Sequence, residues 1–116
     1  MERRAALRYQ LAAPVGYSWE GMASNEVKGS GMTRDVSMTG AYITTDTCPP
    51  VESSVQLTIF LTRRPGVAST VQIKGQGRVI RVDRGEKVAA GFAVVSQGFI
   101  LYSRGDPVVD SLDLLL

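Results

Sequence analysis

The 116-residue chain contains no histidine and only one cysteine, Cys48. Without histidine it lacks the usual general base of enzymes and the commonest metal ligand. A zinc site built from protein side chains needs about four cysteine or histidine ligands, and one cysteine cannot form an internal disulfide. No nucleophile–base pair of the usual kind can be assembled without histidine. We therefore expect no catalytic residues, no metal site and no cofactor.

Long apolar runs and a strong net charge are also missing. No stretch approaches the roughly 20 apolar residues that span a bilayer, and no signal-peptide core follows the charged residues 1–4. The net charge is only +2, which is too small for a polycation that coats nucleic acid. The apolar fraction of 44% is typical of a soluble globular protein. We expect one cytoplasmic domain, with no membrane insertion and no nucleic-acid polymer as its partner.

Short segments of alternating apolar and polar residues follow one another along the chain. Within residues 54–62, Val55 and Leu57 fall on one face and Gln56 and Thr58 on the other, which is the period of a half-buried strand. Five or six short strands with little helical periodicity indicate an antiparallel barrel or sandwich. Strands are predicted at about 12–20, 27–37, 41–45, 54–62, 70–82 and 87–96.

Of the aromatic residues within these strands, we assign four to the core rather than to a platform on which bases stack. They are Tyr17, Trp19, Tyr42 and Phe60.

The last part of the chain has a different pattern. Residues 99–102 fit either a final strand or the start of a short helix. Asp106 followed by Pro107 is typical of a helix start, with aspartate as the cap and proline at the first helical position. The apolar residues 111–116 would complete a short C-terminal helix. The predicted organisation is a flexible N-terminal arginine segment (1–11), a β-barrel (12–97) and a C-terminal strand or helix extension packed on the barrel (98–116).

Arginines cluster at the start of the chain, where Arg3, Arg4 and Arg8 lie within the first eight positions. Guanidinium groups pair with phosphate oxygens, and with the O6/N7 edge of guanine, through two parallel hydrogen bonds. Most basic termini are simply solvated. A second motif further along the chain favours contact with a ligand instead.

That second motif, Asp-x-Ser-x-x-Gly, comprises Asp35, Ser37 and Gly40. A carboxylate can accept hydrogen bonds from guanine N1–H and N2–H, and glycine lets the backbone approach a flat ring closely. The same residues also suit a turn, because aspartate and serine cap backbone N–H groups and glycine takes positive φ. Both interpretations can hold together, since a turn fixed by Ser37 would keep Asp35 in place. The two motifs suit a ligand that carries both guanine and phosphate.

The order and separation of these motifs resemble those of the PilZ family of bacterial cyclic di-GMP receptors. Residues 77–81 are similar to that family's Gly-x-Val-x-Arg strand, and residues 91–94 to its Gly-Phe-x-hydrophobic strand. The similarity runs from about residue 3 to about residue 95. The resemblance implies an all-β, six-stranded antiparallel barrel that binds cyclic di-GMP.

The resemblance also implies a role for each motif residue. Arg4 and Arg8 match the arginines that contact guanine edges and phosphates, and Asp35 with Ser37 matches the pair that holds a guanine. Gly40 matches the glycine that closes the strand-turn.

Two further arginines are included by the same resemblance. Arg3 matches a position that, when basic, can favour two stacked ligand molecules. Arg81 matches a strand position that can lie over an outer base, although an exposed strand arginine is an equally good interpretation. The expected binding residues are Arg3, Arg4, Arg8, Asp35, Ser37, Gly40 and Arg81.

We therefore expect a receptor that binds two cyclic di-GMP molecules per chain, orders its N-terminal arginines on them and signals to an effector protein. One alternative is a ligand-independent adaptor of the same fold that acts through protein contacts, as in pilus assembly. Loss of the motifs usually accompanies that role, and here they are intact. Another is a barrel that binds single-stranded nucleic acid in a basic groove, which the small net charge disfavours.

Overall fold

The structure is a computed structural model that describes residues 8–61, 71–85, 89–103 and 106–108. Its regular elements are almost all β-strands, as the alternating pattern predicts, and a short 3-10 turn at Met22–Ser24 joins two of them. The strands are β1 (Tyr9–Gln10), β2 (Pro14–Glu20), β3 (Glu26–Ser37), β4 (Gly40–Thr44), β5 (Ser54–Leu61), β6 (Val71–Asp83), β7 (Gly91–Ser96), β8 (Ile100–Ser103) and β9 (Asp106–Val108).

Six of these strands close into an antiparallel barrel. Their order around the barrel is β5–β2–β3–β4–β7–β6, and β6 pairs back onto β5 to complete the ring. Closure leaves these six strands without a free edge. The short β1 pairs with β3, while β8 extends the sheet from β6 and carries β9 at its far side. The predicted six-stranded antiparallel barrel is confirmed.

The inward-facing residues of the strands fill the barrel. On β5, Val55, Leu57, Ile59 and Leu61 are all buried, as their alternation predicts. Burying an aliphatic or aromatic side chain of this size contributes roughly 1.5–3 kcal/mol relative to leaving it exposed. Phe60 was assigned to the core wrongly: it is 43% exposed, because it is out of phase with the inward positions of its strand.

Tyr17 and Trp19 extend the core towards one end of the barrel. The ring of Tyr17 stacks on Trp19 with centroids 6.0 Å apart and meets Phe92 edge-on at 5.0 Å. Its hydroxyl donates to Thr45 Oγ1 at 2.8 Å and is 2.5 Å from the carbonyl oxygen of Thr47. Burial raises the pKa of Tyr17 above its usual value, so this buried tyrosine stays neutral.

The C-terminal prediction needs correction. Asp106 and Pro107 do not begin a helix; they belong to β9, in which Pro107 lies opposite Tyr102 and Asp106 opposite Ser103. An edge strand accepts proline because one of its sides makes no ladder hydrogen bonds. Strand pairing therefore outweighs the local preference of Asp106 and Pro107 for a helix start. The helix predicted over residues 111–116 lies outside the described residues, and the described part of the chain contains no α-helix.

The predicted N-terminal segment is described only from Arg8 onwards, and its residues Tyr9 and Gln10 form β1. In the portion of the chain that the structure covers, no helix is both long enough and apolar enough to cross a membrane.

Candidate functional site

A row of side chains crosses the outer face of four neighbouring strands. Asp35 of β3 lies opposite Tyr42 of β4, Tyr42 lies opposite Ala93 of β7, and Ala93 lies opposite Arg81 of β6. Residues directly opposite each other in an antiparallel pair have Cβ atoms about 4.5–5.5 Å apart. The fold therefore brings Asp35 and Arg81, which are far apart in sequence, onto one surface with an aromatic ring between them.

A β-bulge in β3 adds a second polar side chain to this surface. The pairing with β4 shifts between Thr33 and Asp35, which leaves Arg34 as the extra residue. In a regular strand, consecutive side chains point to opposite faces. Here the bulge lets Arg34 and Asp35 face outwards together, while Thr33 and Val36 on either side remain buried.

A second bulge lies at the other end of the row. The pairing of β6 with β7 shifts between Val79 and Arg81, which makes Ile80 the extra residue. Ile80 and Arg81 are both exposed, and the flanking Val79 is buried. Each end of the row is thus a place where the strand gains one outward side chain without disturbing the core.

Asp35 is the most enclosed charge of this surface, with 6% of its area exposed. The Nη1 group of Arg8 donates to its Oδ1, and Nε of Arg34 donates to its Oδ2 at 2.9 Å. The two arginine side chains are themselves well exposed. One carboxylate therefore holds two guanidinium groups at the surface, and both of its oxygens are engaged.

Tyr42 is buried, as its assignment to the core predicts, but it lies beneath the arginines and outside the main hydrophobic cluster. The guanidinium carbon of Arg34 is 4.0 Å from the centre of its ring, and that of Arg81 is 5.5 Å away. Both are within the range of cation–π attraction. The Tyr42 hydroxyl donates to Asp83 Oδ2 at 2.5 Å, and Arg81 Nη2 lies 3.6 Å from the same oxygen. Burial, and secondly this bond to a carboxylate, raises the pKa of Tyr42.

These side chains border an open groove of about 260 Å³ on the outside of the barrel. Three of the predicted site residues, Arg8, Asp35 and Arg81, line it. They come from the segment before β1, from β3 and from β6. The groove combines cationic guanidinium groups, one carboxylate that is already paired with arginine, and apolar lining residues. This combination suits an anionic ligand with flat rings. Its remaining lining residues are Arg34, Ala41, Tyr42, Ile80, Ala93, Val94 and Val95.

Ser37 and Gly40 lie at the turn between β3 and β4 and do not line the groove. The Ser37 hydroxyl accepts a hydrogen bond from the Thr39 N–H at 3.2 Å and lies 3.4 Å from the Gly40 carbonyl oxygen. A Cβ atom on Gly40 would lie only 2.8 Å from the carbonyl oxygen of Val94, so glycine permits the close approach of β4 to β7. The turn interpretation agrees with this geometry for Ser37, whereas Gly40 does not have the positive φ that it assigns to the glycine.

Arg34 was not among the predicted site residues, and Tyr42 was assigned to a different role. A signal for both was present in the sequence. The inward positions of β3 run to Thr33 and then resume at Val36, and two consecutive charged residues separate them. Such a change of phase inside one strand is typical of a bulge, and a bulge at Arg34 places it beside the strand position of Tyr42.

Arg3 and Arg4 lie outside the described residues, so their predicted contacts stay predictions.

Comparison with known proteins gives one finding for the chain as a whole: the family model of the PilZ domain matches residues 2–98. No curated protein and no solved structure matches.

Proposed function

The chain belongs to the PilZ domain family, and on that premise we propose that it is a receptor that binds cyclic di-GMP without changing it chemically. The convergence of Arg8, Asp35 and Arg81 on one open groove carries the proposal. Cyclic di-GMP offers two phosphates, which arginine forks bind bidentately, and two guanines with hydrogen-bonding edges and flat faces. The groove has a chemical partner for each of these parts.

Ligand binding exchanges ion pairs rather than creating all of them anew. In the free protein both oxygens of Asp35 are occupied, one by Arg8 and one by Arg34. For Asp35 to accept guanine N1–H and N2–H, Arg8 must move off the carboxylate, whereas Oδ2 can accept from Arg34 and from guanine together because each carboxylate oxygen has two lone pairs. The released guanidinium of Arg8 is then available for a phosphate oxygen. No buried charge is left unpaired in the exchange, which keeps its cost low.

The N-terminal arginines complete the proposed site and provide its signal. Pairing of β1 with β3 brings Arg8 to Asp35, so the chain reaches the barrel at the edge of the groove. We infer that the ligand phosphates draw Arg3 and Arg4 to this edge as well. The surface around the groove then differs between the free and bound receptor, and an effector protein in the cytoplasm that prefers one of the two surfaces reads the difference.

Calorimetric titration of the purified chain with cyclic di-GMP tests the proposal. Saturable binding is expected, and it should weaken strongly when Arg8 is replaced by alanine. Arg78→Ala is the matched control, because Arg78 is an exposed arginine of β6 that lies outside this groove and 3.8 Å from Glu52. Absence of any binding by the wild type would reject the receptor and leave the ligand-independent adaptor as the function to pursue.

A further inference from the structure

We infer that Arg34 is a further ligand-contacting residue, whose guanidinium lies on the ring of Tyr42 and forms a flat cationic shelf for a purine base. This role depends on the proposed function, because the base is a guanine of the same cyclic dinucleotide. It assigns a binding residue to the bulge position of β3, immediately before the Asp-x-Ser-x-x-Gly motif.

The geometry of Arg34 is that of a stacked arginine with one open face. Its guanidinium carbon is 4.0 Å from the ring centre of Tyr42, and 59% of its side chain is exposed. The bond from Nε to Asp35 Oδ2, at 2.9 Å, holds the group from one side. Guanidinium planes stack on aromatic rings and on nucleobases alike. The face turned away from Tyr42 is therefore available to a base.

Tyr42 cannot provide this platform by itself. Only 5% of its area is exposed, because Arg34 covers its ring and Arg81 approaches it from 5.5 Å. A base that enters the groove meets the arginine before the ring. Tyr42 is thus a positioning residue, which acts on the ligand through the orientation of Arg34.

The competing role for Arg34 is neutralisation of Asp35 by charge alone. Lysine separates the two roles, because it keeps the positive charge but has neither a planar group nor the fork of donors. A shelf is lost on substitution by lysine, whereas charge compensation is retained.

The first experiment measures cyclic di-GMP affinity of Arg34→Lys and Arg34→Ala at several salt concentrations. Stacking of one base on a protein platform corresponds to a change in affinity of about 5- to 150-fold, so Arg34→Lys should bind about ten-fold more weakly than wild type, with a similar dependence on salt. Arg34→Ala should lose at least as much and show a shallower salt dependence, since one charge is gone. Wild-type affinity of the lysine variant, or tighter binding by the alanine variant, overturns the shelf.

A double-mutant cycle tests whether Tyr42 acts through Arg34. Tyr42→Phe keeps the ring and should bind within about three-fold of wild type, whereas Tyr42→Leu should bind as weakly as Arg34→Ala. Combining Tyr42→Leu with Arg34→Ala should cause no further loss, because residues that act as one unit are not additive. If the fold-losses in affinity of the two single variants multiply in the double variant, Tyr42 and Arg34 do not act as one unit. If Tyr42→Leu does not fold, as thermal unfolding will reveal, the exposed Arg34 variants decide alone.

The controls separate this inference from the proposed function. Arg78→Ala should bind as wild type does, because Arg78 lies outside the groove. If the wild type and the Arg34 variants bind cyclic di-GMP equally well, only the shelf is rejected. A wild type that binds no cyclic di-GMP rejects both.

Discussion

At the residue scale, the arginines of the groove differ in what their guanidinium groups already contact. Within the described residues, Arg8 pairs with Asp35 only, whereas Arg34 contacts both Asp35 and the face of Tyr42. Arg81 lies near Asp83 and at a longer distance from the same ring. Arg8 is consequently the freest to leave its partner for a phosphate, and Arg34 is the most firmly oriented. Substitutions at these positions should therefore have distinct effects.

Replacing Arg8 by alanine should abolish measurable cyclic di-GMP binding and leave the fold intact, and Arg4→Ala should do the same. Each arginine supplies charge-assisted hydrogen bonds worth roughly 1.5–3 kcal/mol. Arg8 is exposed, and Arg34 still pairs with Asp35 in the variant, so the thermal unfolding midpoint should hardly change. Calorimetry checks the affinity, with Arg78→Ala as the control, and equal affinity of wild type and both variants would exclude the arginines from the site.

Replacing Asp35 by alanine should reduce the preference for guanine more than the affinity for phosphate. The carboxylate is the expected acceptor for guanine N1–H and N2–H, and its removal also releases the two arginines that it now holds. The wild type should bind cyclic di-AMP poorly, while in Asp35→Ala the two dinucleotides should bind with similar affinity. Parallel titrations measure this ratio. If the wild type already binds both equally, the groove reads phosphate only.

At the scale of strands, periodicity was sufficient to predict the barrel but not its irregularities. The inward alternation of Val55, Leu57 and Ile59 is a repeated local signal, and it fixed the face and approximate limits of β5. The bulge at Arg34 depends on register with β4, which is a contact across strands and leaves only a brief change of phase in the sequence. The helix-start pattern at Asp106 failed for the same reason, because pairing with β8 outweighs local preference.

The same dependence on cross-strand contacts explains how far the site could be predicted. Arg8, Asp35 and Arg81 were recognised from their motifs, and the structure brings them together in one groove. Arg34 and Tyr42 belong to no motif and become neighbours only when β3 and β4 pair with a bulge between them. Sequence motifs therefore predict the charged groups of the groove better than the support beneath them.

Two glycines in strands provide a matched test of close strand approach. A Cβ atom on Gly91 of β7 would lie 2.5 Å from the carbonyl oxygen of Ile43 and 2.7 Å from Cε1 of Tyr42, whereas one on Gly16 of β2 would meet nothing within 4 Å. Gly91→Ala should lower the free energy of unfolding by about 2 kcal/mol and weaken ligand binding by displacing Tyr42.

The control, Gly16→Ala, should be neutral or stabilising by about 0.5–1 kcal/mol, because alanine loses less conformational freedom on folding. Urea unfolding of both variants measures the difference. A Gly91→Ala protein as stable as Gly16→Ala would show that β4 and β7 can move apart without cost.

At the scale of the whole molecule, the closed barrel is a fixed support. The charged residues of the groove come together on one side of it. Strands β3, β4, β7 and β6 are consecutive in the ring, so the spacing of their outward residues is set by the ladder itself. Arg8 reaches this support from the residue just before β1. Binding should therefore rearrange side chains and the N-terminal segment while the barrel stays unchanged.

We expect two cyclic di-GMP molecules per chain, held by Arg3, Arg4 and Arg8, with Arg81 over an outer guanine. Three arginines within the first eight residues supply three positive charges against the four phosphate charges of two intercalated ligands. Affinity should fall as salt rises, because exposed charge pairs are screened over about 8–10 Å. Arg3→Leu should lower the calorimetric ratio towards one without eliminating binding, and a wild-type ratio of one would refute the two-ligand arrangement.

The bulge in β3 has a consequence for how such a binding face can arise. Omitting Arg34 would restore a regular alternation, with Thr33 inward, Asp35 outward and Val36 inward. Gain or loss of a single codon at this point would therefore add or remove a cationic side chain without changing which residues fill the barrel. A lineage could try out new ligand contacts at the bulge through one-residue insertions, while the hydrophobic interior and its stability are inherited intact.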